Sequence, residues 1–203
     1  MIYIVGLGPG NIKYLTEEGK RVIHASDVLI GGKRNLESFP NFKGEKLELG
    51  NNLSEMVTYI NGHKDEKTIS IIASGDPLIY GIGKFLLGQF PKEELVIIPG
   101  ISSIQYFFSK IPLDMNDLYI TSSHGKQPDF DRVLAMEKVA MVTDQVIGPS
   151  EIAEEIMKRQ LNKVMWIGEN LSYEEEKVTK VKPKEIIGKK FAMNVVVIVD
   201  EKQ

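Results

Sequence analysis

The chain has 203 residues, 42% of them hydrophobic and 26% charged, as is ordinary for one large globular domain or two small ones. Its formal net charge of −3 creates no overall field that would attract nucleic acid or an acidic membrane surface. The absence of cysteine excludes disulfides, thiolate nucleophiles and cysteine-based metal sites, and His24, His63 and His124 lack the spacing of metal ligands. We therefore expect no metal, no nucleic-acid partner and no membrane association. The lack of a signal segment or a long apolar run predicts a cytoplasmic location.

Strands and helices are predicted to alternate along the first half of the sequence. Five short runs predict strands, at residues 2–5, 28–30, 46–49, 69–73 and 95–98. Thr16 and Ser54 stand where helix N-caps are expected. Asp76 followed by Pro77 predicts a capped helix that extends to Leu87.

The alternation pauses near residues 111–114, where we predict a domain boundary that separates residues 1–112 from 113–203. Beyond it, five more strands are predicted, near residues 117–121, 139–143, 164–167, 173–179 and 194–199. Asp129 or Asp131 is expected to start one helix, and Ser150 to cap another. The pattern predicts an α/β protein of two successive α/β/α domains that share a groove.

The glycine-rich turn at residues 6–10 differs from a dinucleotide-binding loop. Its spacing is G-x-G-x-G, and the second strand ends at Gly31 and Gly32 without the acidic residue that would hold a ribose. Pro9 also removes one amide donor from the turn. These features disfavour a nicotinamide-dependent dehydrogenase, although a ligand-binding or nicotinamide-binding α/β protein stays open as an alternative from another class.

A second turn, Ser74-Gly75-Asp76-Pro77, follows the buried strand at residues 69–73. Gly75 permits a sharp bend or the close approach of a ligand, and open α/β sheets bind ligands where strands end. On this turn alone, a well-capped strand-to-helix connection is the favoured interpretation. The third turn, Pro99-Gly100-Ile101-Ser102-Ser103, closes the next strand in the same way.

Taken together, the three turns resemble the motifs of the tetrapyrrole methylase family, in the same order and over essentially the whole chain. The family's fold is two α/β/α domains that hold S-adenosylmethionine in the cleft between them, usually in a homodimer. The resemblance implies these features here. It also implies that S-adenosylmethionine is contacted by Leu7, Gly8, Gly75, Asp76, Ile79, Ser103 and Ile104, and, from strand order, by Val142 and Asn194.

Two further motifs, Gly31-Gly32-Lys33-Arg34 and Ser123-His124-Gly125-Lys126, resemble the branch of the family that methylates C5 of cobalt-precorrin-7 in cobalamin biosynthesis. Corrin precursors are polycarboxylates, so basic side chains are expected to meet them. The predicted substrate-binding residues are Pro9, Lys33, Arg34, His124 and Lys126. No catalytic base is assigned.

The same resemblance leaves several functional alternatives. A chain of this length has no room for a C15-methylating decarboxylase, which we expect on a separate protein. Methylation of another corrin carbon and a diphthine-type activity stay open. A ribosomal-RNA substrate is disfavoured by the acidic net charge, because binding to a phosphate backbone needs an excess of basic residues.

Overall fold

A computed structural model describes residues 1–50, 52–125 and 127–201. The chain forms two compact units, Met1–Ser102 and Ser103–Gln203. Each unit contains one five-stranded sheet with helices packed on it, which confirms the predicted α/β class with two domains. Within the described ranges, no helix is long and apolar enough to cross a lipid bilayer.

The first unit is built on a parallel sheet. Its strands are β1 (Ile2–Gly6), β2 (Val28–Gly31), β3 (Glu45–Glu48), β4 (Ile69–Ala73) and β5 (Leu95–Ile98). Their spatial order is β3-β2-β4-β1-β5, and every neighbouring pair runs parallel. The carboxyl ends of all five strands, and the loops that leave them, therefore lie at one edge of this sheet.

Helices cover both faces of the first sheet, which explains why its strands, apart from the edge strand β3, are largely apolar. The helices are α1 (Glu17–His24), α2 (Lys33–Glu37), α3 (Leu53–His63) and α4 (Gly83–Leu87), with single 3-10 turns at Ile12–Tyr14 and Lys92–Glu94. One buried cluster joins α1 and α2 to the sheet, and a second joins α3 and α4 to the opposite face. Thr16 caps α1 as predicted, since its hydroxyl oxygen accepts a hydrogen bond from the Gly19 amide at 3.0 Å.

The second unit is built on a mixed sheet. Its strands are β6 (Tyr119–Ser122), β7 (Lys138–Val142), β8 (Lys163–Glu169), β9 (Lys177–Val181) and β10 (Asn194–Asp200), in the order β6-β7-β10-β8-β9. Only β6 and β7 pair in parallel; β10 runs antiparallel to both of its neighbours. The helices are α5 (Ser103–Phe108), α6 (Phe130–Leu134) and α7 (Pro149–Lys158), with a 3-10 turn at Pro183–Glu185.

Two of the predicted helix starts are wrong, while a third is confirmed. Asn52, not Ser54, caps α3, and its side-chain oxygen accepts from the Ser54 amide at 3.2 Å. Ser150 lies inside α7, where its hydroxyl oxygen accepts from the Gly188 amide at 2.7 Å and so serves a tertiary contact. Asp129 caps α6 as expected by accepting from the Arg132 amide at 3.2 Å.

The units divide between Ser102 and Ser103, earlier in the chain than the predicted boundary after residue 112. The boundary lies earlier because α5, which the predicted boundary assigns to the first domain, packs against β7 and β10 of the second sheet. Gly168 of β8 makes room for this packing, because an added Cβ there would lie 2.8 Å from the Phe107 ring. The limits of the two domains as independently folding segments stay a prediction.

Candidate functional site

Three loops meet at the carboxyl edge of the first sheet. They follow β1, β4 and β5, and we call residues 6–10, 74–77 and 99–102 the glycine edge. The Gly8 amide donates to the Gly75 carbonyl at 3.2 Å, and the Gly75 amide donates back to the Gly8 carbonyl at 2.7 Å. The Leu7 amide donates to the Ala73 carbonyl at 2.9 Å. Backbone hydrogen bonds thus fix the first two loops to each other.

Glycine is required here because the backbones approach too closely for side chains. A Cβ on Gly6 would lie 2.6 Å from the amide nitrogen of Gly100, and a Cβ on Gly100 would collide with the Gly75 carbonyl oxygen. Gly8 and Gly75 also adopt φ values of 88° and 68°, which residues with a Cβ rarely adopt. The three glycine motifs of the sequence are therefore parts of a single backbone contact.

Asp76 connects the second loop to the third. One carboxylate oxygen accepts from the Leu78 amide at 2.8 Å, and the other accepts from the Gly100 amide at 3.2 Å. Asp76 is the only charged residue of the glycine edge. Its carboxylate therefore holds the loop after β5 in register with the loop after β4.

The helix predicted to begin at Pro77 does not form, and Asp76 is not its cap. Turns occupy residues 77–82, and α4 begins only at Gly83, whose amide donates to the Pro77 carbonyl at 2.9 Å. Gly81 allows this tight fold, because a Cβ there would lie 2.6 Å from the same carbonyl oxygen. The segment packs back on itself in place of starting a regular helix.

The sequence-predicted residues of the first unit all lie at this edge of the sheet. Leu7, Gly8 and Pro9 are buried, whereas Gly75, Asp76 and Ile79 are half-buried. Lys33 and Arg34 form the first turn of α2, directly beyond the carboxyl end of β2, and both are exposed. The Ser74 hydroxyl donates to the side-chain oxygen of Asn35 at 3.2 Å, which links α2 to the loop after β4.

The second unit also places its predicted residues at one edge of a sheet, with α5 beside it. Val142 ends β7, and Asn194 begins the adjacent β10. The Thr143 hydroxyl donates to the Asn194 side-chain oxygen at 2.7 Å, and the Asn194 amide group donates to the Ala192 carbonyl at 2.7 Å. These bonds fix the Asn194 side chain.

The two predicted residues of α5 differ in exposure. Ser103 is half-buried at the start of the helix, whereas Ile104 is fully buried. Burial gives Ile104 a packing role in the core of its own unit, and a contact with a ligand through its side chain stays a prediction.

His124 lies in the loop after β6, and a neighbouring carboxylate that the sequence reasoning missed orders this loop. The His124 amide donates to the Ser122 hydroxyl at 3.0 Å, and the Gly125 amide donates to Asp144 at 3.2 Å. The other oxygen of Asp144 accepts from the Val146 and Ile147 amides, both at 2.8 Å. Lys126, the other residue predicted here, lies outside the described residues.

These hydrogen bonds hold the pKa of Asp144 below its usual value. The Ile147 amide has the largest effect, followed by the Val146 amide, while partial desolvation opposes them. The Gly125 amide and the nearby His124 contribute further lowering. Asp144 is thus ionised at neutral pH, and it joins the loop after β6 to the loop after β7. Its position directly after the predicted strand at residues 139–143 was the available signal in the sequence.

The described part of the chain contains no group of three or more histidine, aspartate or glutamate residues placed to hold a metal ion. Each of the two edges is ordered by backbone hydrogen bonds and by one aspartate, Asp76 in the first unit and Asp144 in the second.

The family model of the tetrapyrrole (corrin/porphyrin) methylases matches residues 1–187. The chain belongs to this family. A cobalt-precorrin-7 C(5)-methyltransferase of Salmonella typhimurium is 42% identical over 203 residues, covering 100% of both chains. Solved structures of methylases share the same fold.

The crystal structure of a precorrin-6Y methylase of cobalamin biosynthesis from Archaeoglobus fulgidus superposes with a TM-score of 0.80 at 21% identity, covering 100% of this chain and 99% of that one. A uroporphyrin-III C-methyl transferase from Thermus thermophilus, complexed with S-adenyl homocysteine, gives a TM-score of 0.79 at 19% identity, covering 98% and 96%. At these identities the likeness shows the fold of the methylase family.

Proposed function

We propose that this methylase transfers a methyl group from S-adenosylmethionine to C5 of cobalt-precorrin-7. The observation that carries the proposal is the 42% identity, over the full length of both chains, to an enzyme of that name. Membership of the corrin and porphyrin methylases supports the reaction class independently of that single relative. The nicotinamide alternative loses its basis, because the glycine motifs form one backbone contact in place of a phosphate-binding loop.

The glycine edge suits S-adenosylmethionine by its chemistry. The ligand carries a sulfonium cation, and the only charge among the loops of this edge is the carboxylate of Asp76. We assign Leu7, Gly8, Gly75, Asp76 and Ile79 to this role, with Ser103, Ile104, Val142 and Asn194 contributed by the second unit.

When bound, S-adenosylmethionine supplies a methyl group on its sulfonium sulfur; a nucleophilic macrocycle carbon attacks that methyl in line, and S-adenosylhomocysteine leaves with the electron pair of the broken C–S bond. The residues of the chain then serve to hold and orient. Asp76 keeps two loops in register, and Thr143 fixes the amide of Asn194. Holding two reactants in an attack geometry can lower a barrier by about 7–11 kcal/mol without any side-chain base.

The basic side chains suit the carboxylates of the corrin precursor. Lys33 and Arg34 are exposed at the end of β2, and His124 is exposed on a loop that Asp144 orders. Charge-assisted hydrogen bonds from such groups orient a polycarboxylate. We assign substrate binding to these three residues together with Pro9 and Lys126.

The proposal includes three further points, each with its own measurement. The enzyme is a homodimer, which sedimentation velocity tests. It is cytoplasmic, which cell fractionation tests. We assign the C15 methylation and decarboxylation to a separate protein, because the relative named for the C5 step alone is matched over its full length. A product that keeps the carboxyl group of its substrate would agree with a decarboxylase on a separate protein.

The deciding experiment combines purified protein, cobalt-precorrin-7 and S-adenosylmethionine carrying a ¹³C-methyl group. We expect the product to gain one labelled methyl, which carbon NMR places at C5. Label at another carbon would assign the chain to a different step of corrin methylation. If no methyl group is transferred although calorimetry shows that S-adenosylhomocysteine still binds, the assignment of cobalt-precorrin-7 as the substrate is refuted.

A further inference from the structure

Exposed apolar side chains concentrate in the loops around the glycine edge. Leu78 and Tyr80 follow Asp76 with exposures of 54% and 50%, Ile101 belongs to the loop after β5, and Ile12 follows the loop after β1. We call these four residues the apolar rim. Every one of the three loops that meet at the glycine contact leads into, or contains, a member of this rim.

The second unit repeats the pattern at its own edge. Val146, in the loop after β7, is 76% exposed, and Met193 directly precedes Asn194 and is also exposed. The other large exposed apolar side chains among the described residues are spread over helices, loops and the N-terminus: Met1, Leu87, Met115, Met157 and Ile187. Single exposed apolar residues are ordinary, whereas a concentration of them at the loops of a site marks a ligand surface.

Tyr80 is distinguished within the rim by its backbone. Its φ is 54°, the left-handed region that is unfavourable for any residue with a Cβ and especially for a bulky one. Such a conformation persists only when the surroundings enforce it. Here the turns of residues 77–82 enforce it, anchored by the Asp76 carboxylate and by the bond from Gly83 to Pro77. The chain therefore holds an aromatic ring half-exposed at a fixed place beside the site.

We propose that the apolar rim, Tyr80 included, contacts the hydrophobic body of the corrin macrocycle and determines specificity for it. This inference rests on the proposed function. It divides substrate recognition in two: Lys33, Arg34 and His124 bind the carboxylates of the periphery, and the rim binds the apolar ring system. An aromatic side chain suits this role because it offers a large rigid surface at little cost in conformational entropy.

Two substitutions separate the ring from the backbone conformation. Tyr80→Phe keeps the aromatic surface, whereas Tyr80→Asn removes it and accepts left-handed φ more readily than most residues. Met157→Ala is a matched control, because Met157 is an exposed apolar residue of α7, outside the loops of both edges. All three variants are compared with the wild type for KM, kcat and thermal stability.

Equilibrium binding is measured in parallel with two probes. Cobyrinic acid, a stable corrin polycarboxylate, is followed by its absorbance change, and S-adenosylhomocysteine by calorimetry. We expect Tyr80→Asn to raise the KM for cobalt-precorrin-7 and the Kd for cobyrinic acid by about tenfold or more. The affinity of Tyr80→Asn for S-adenosylhomocysteine should stay within about twofold of the wild type. The KM, kcat and both dissociation constants of Tyr80→Phe and Met157→Ala should stay within the same limit.

Unchanged binding of cobyrinic acid to Tyr80→Asn would overturn the inference. So would a loss of S-adenosylhomocysteine affinity equal to the loss of cobyrinic acid affinity, since Tyr80 would then shape the loop that binds the cofactor. Failure of the proposed function gives a different result. If the wild type does not methylate cobalt-precorrin-7 but Tyr80→Asn still loses cobyrinic acid, the reaction is misassigned while the rim keeps its role.

Discussion

Replacement of Asp76 by alanine tests whether one carboxylate sets the geometry of the glycine edge. The substitution removes the acceptor for the Leu78 amide at 2.8 Å and for the Gly100 amide at 3.2 Å. Each hydrogen bond contributes about 0.5–1.5 kcal/mol, so the loss should be about 1–3 kcal/mol of the free energy of unfolding. For a chain of this size, 1 kcal/mol corresponds to about 2–4 °C in Tm.

We expect Asp76→Ala to lower Tm by about 4–8 °C, the value for the middle of that range, and to remain folded. Binding should suffer beyond this loss, because the loops after β4 and β5 lose the link that keeps them in register. Calorimetric titration with S-adenosylhomocysteine should show affinity reduced by about tenfold or more, equivalent to at least 1.4 kcal/mol. Asp76→Asn keeps one good acceptor oxygen, so its Tm and its affinity should lie between those of the wild type and those of Asp76→Ala.

Asp129→Ala provides the matched control. Asp129 also accepts a backbone hydrogen bond, at 3.2 Å from the Arg132 amide, but it caps α6 in the second unit. Loss of a cap costs about 0.5–2 kcal/mol, so this variant should melt lower and bind S-adenosylhomocysteine normally. If Asp76→Ala behaves in the same way as this control, the carboxylate is only a structural link and its place in the binding edge is refuted.

Three other experiments test separate parts of the site. Gly100→Ala should lower both Tm and the rate of methyl transfer, since its Cβ would collide with the Gly75 carbonyl oxygen. Gly62→Ala is its control, because Gly62 has open space on α3, and it should raise the free energy of unfolding by about 0.5–1 kcal/mol. Equal effects of the two variants in thermal melts would contradict the close contact at Gly100. Lys33→Ala with Arg34→Ala should raise the KM for cobalt-precorrin-7 about tenfold at low salt and less at high salt, because exposed charges are screened over about 10 Å at 0.1 M. Loss of S-adenosylhomocysteine affinity in that double variant would indicate a folding defect instead. The pKa of Asp144 is lowered on folding, so its stabilising bonds are present above the unfolded value of about 3.9 and disappear as pH falls through the lower folded value. The amide resonances of Val146 and Ile147 should therefore titrate together with a midpoint below about 3.9, and a midpoint at or above it would refute the assignment.

Sequence patterns predicted those parts of the fold that depend on local burial. The strands β1 and β4 are buried along almost their whole length, and such runs read as buried strands wherever they occur in a chain. Strand order is different, because it depends on pairings between distant segments. Nothing local in residues 194–200 shows that β10 lies between β7 and β8 and antiparallel to both.

The candidate site shows the same division. The glycine motifs were recognisable in the sequence, but their mutual contact, from Gly6 to Gly100 and Gly75, joins residues far apart in the chain. Asp76 was expected to cap a helix, because Asp followed by Pro is a common helix start. The glycines at positions 81 and 83 allow the chain to fold back on Pro77 instead. Asp144 was missed, since its role depends on amides of a loop from another strand.

The position of β10 has a consequence for the order in which the protein can be assembled during synthesis. Of the ten strands, β10 is the last to leave the ribosome, yet it lies at the centre of the second sheet and pairs along seven residues with β8. Until it arrives, β6 with β7 and β8 with β9 are two separate ribbons, each with an unpaired apolar edge. The first sheet does not depend on this strand, because all its strands lie within residues 2–98. A chain truncated after residue 190 would therefore keep every strand of the first sheet, whereas its second sheet would lack only the strand that joins the two ribbons.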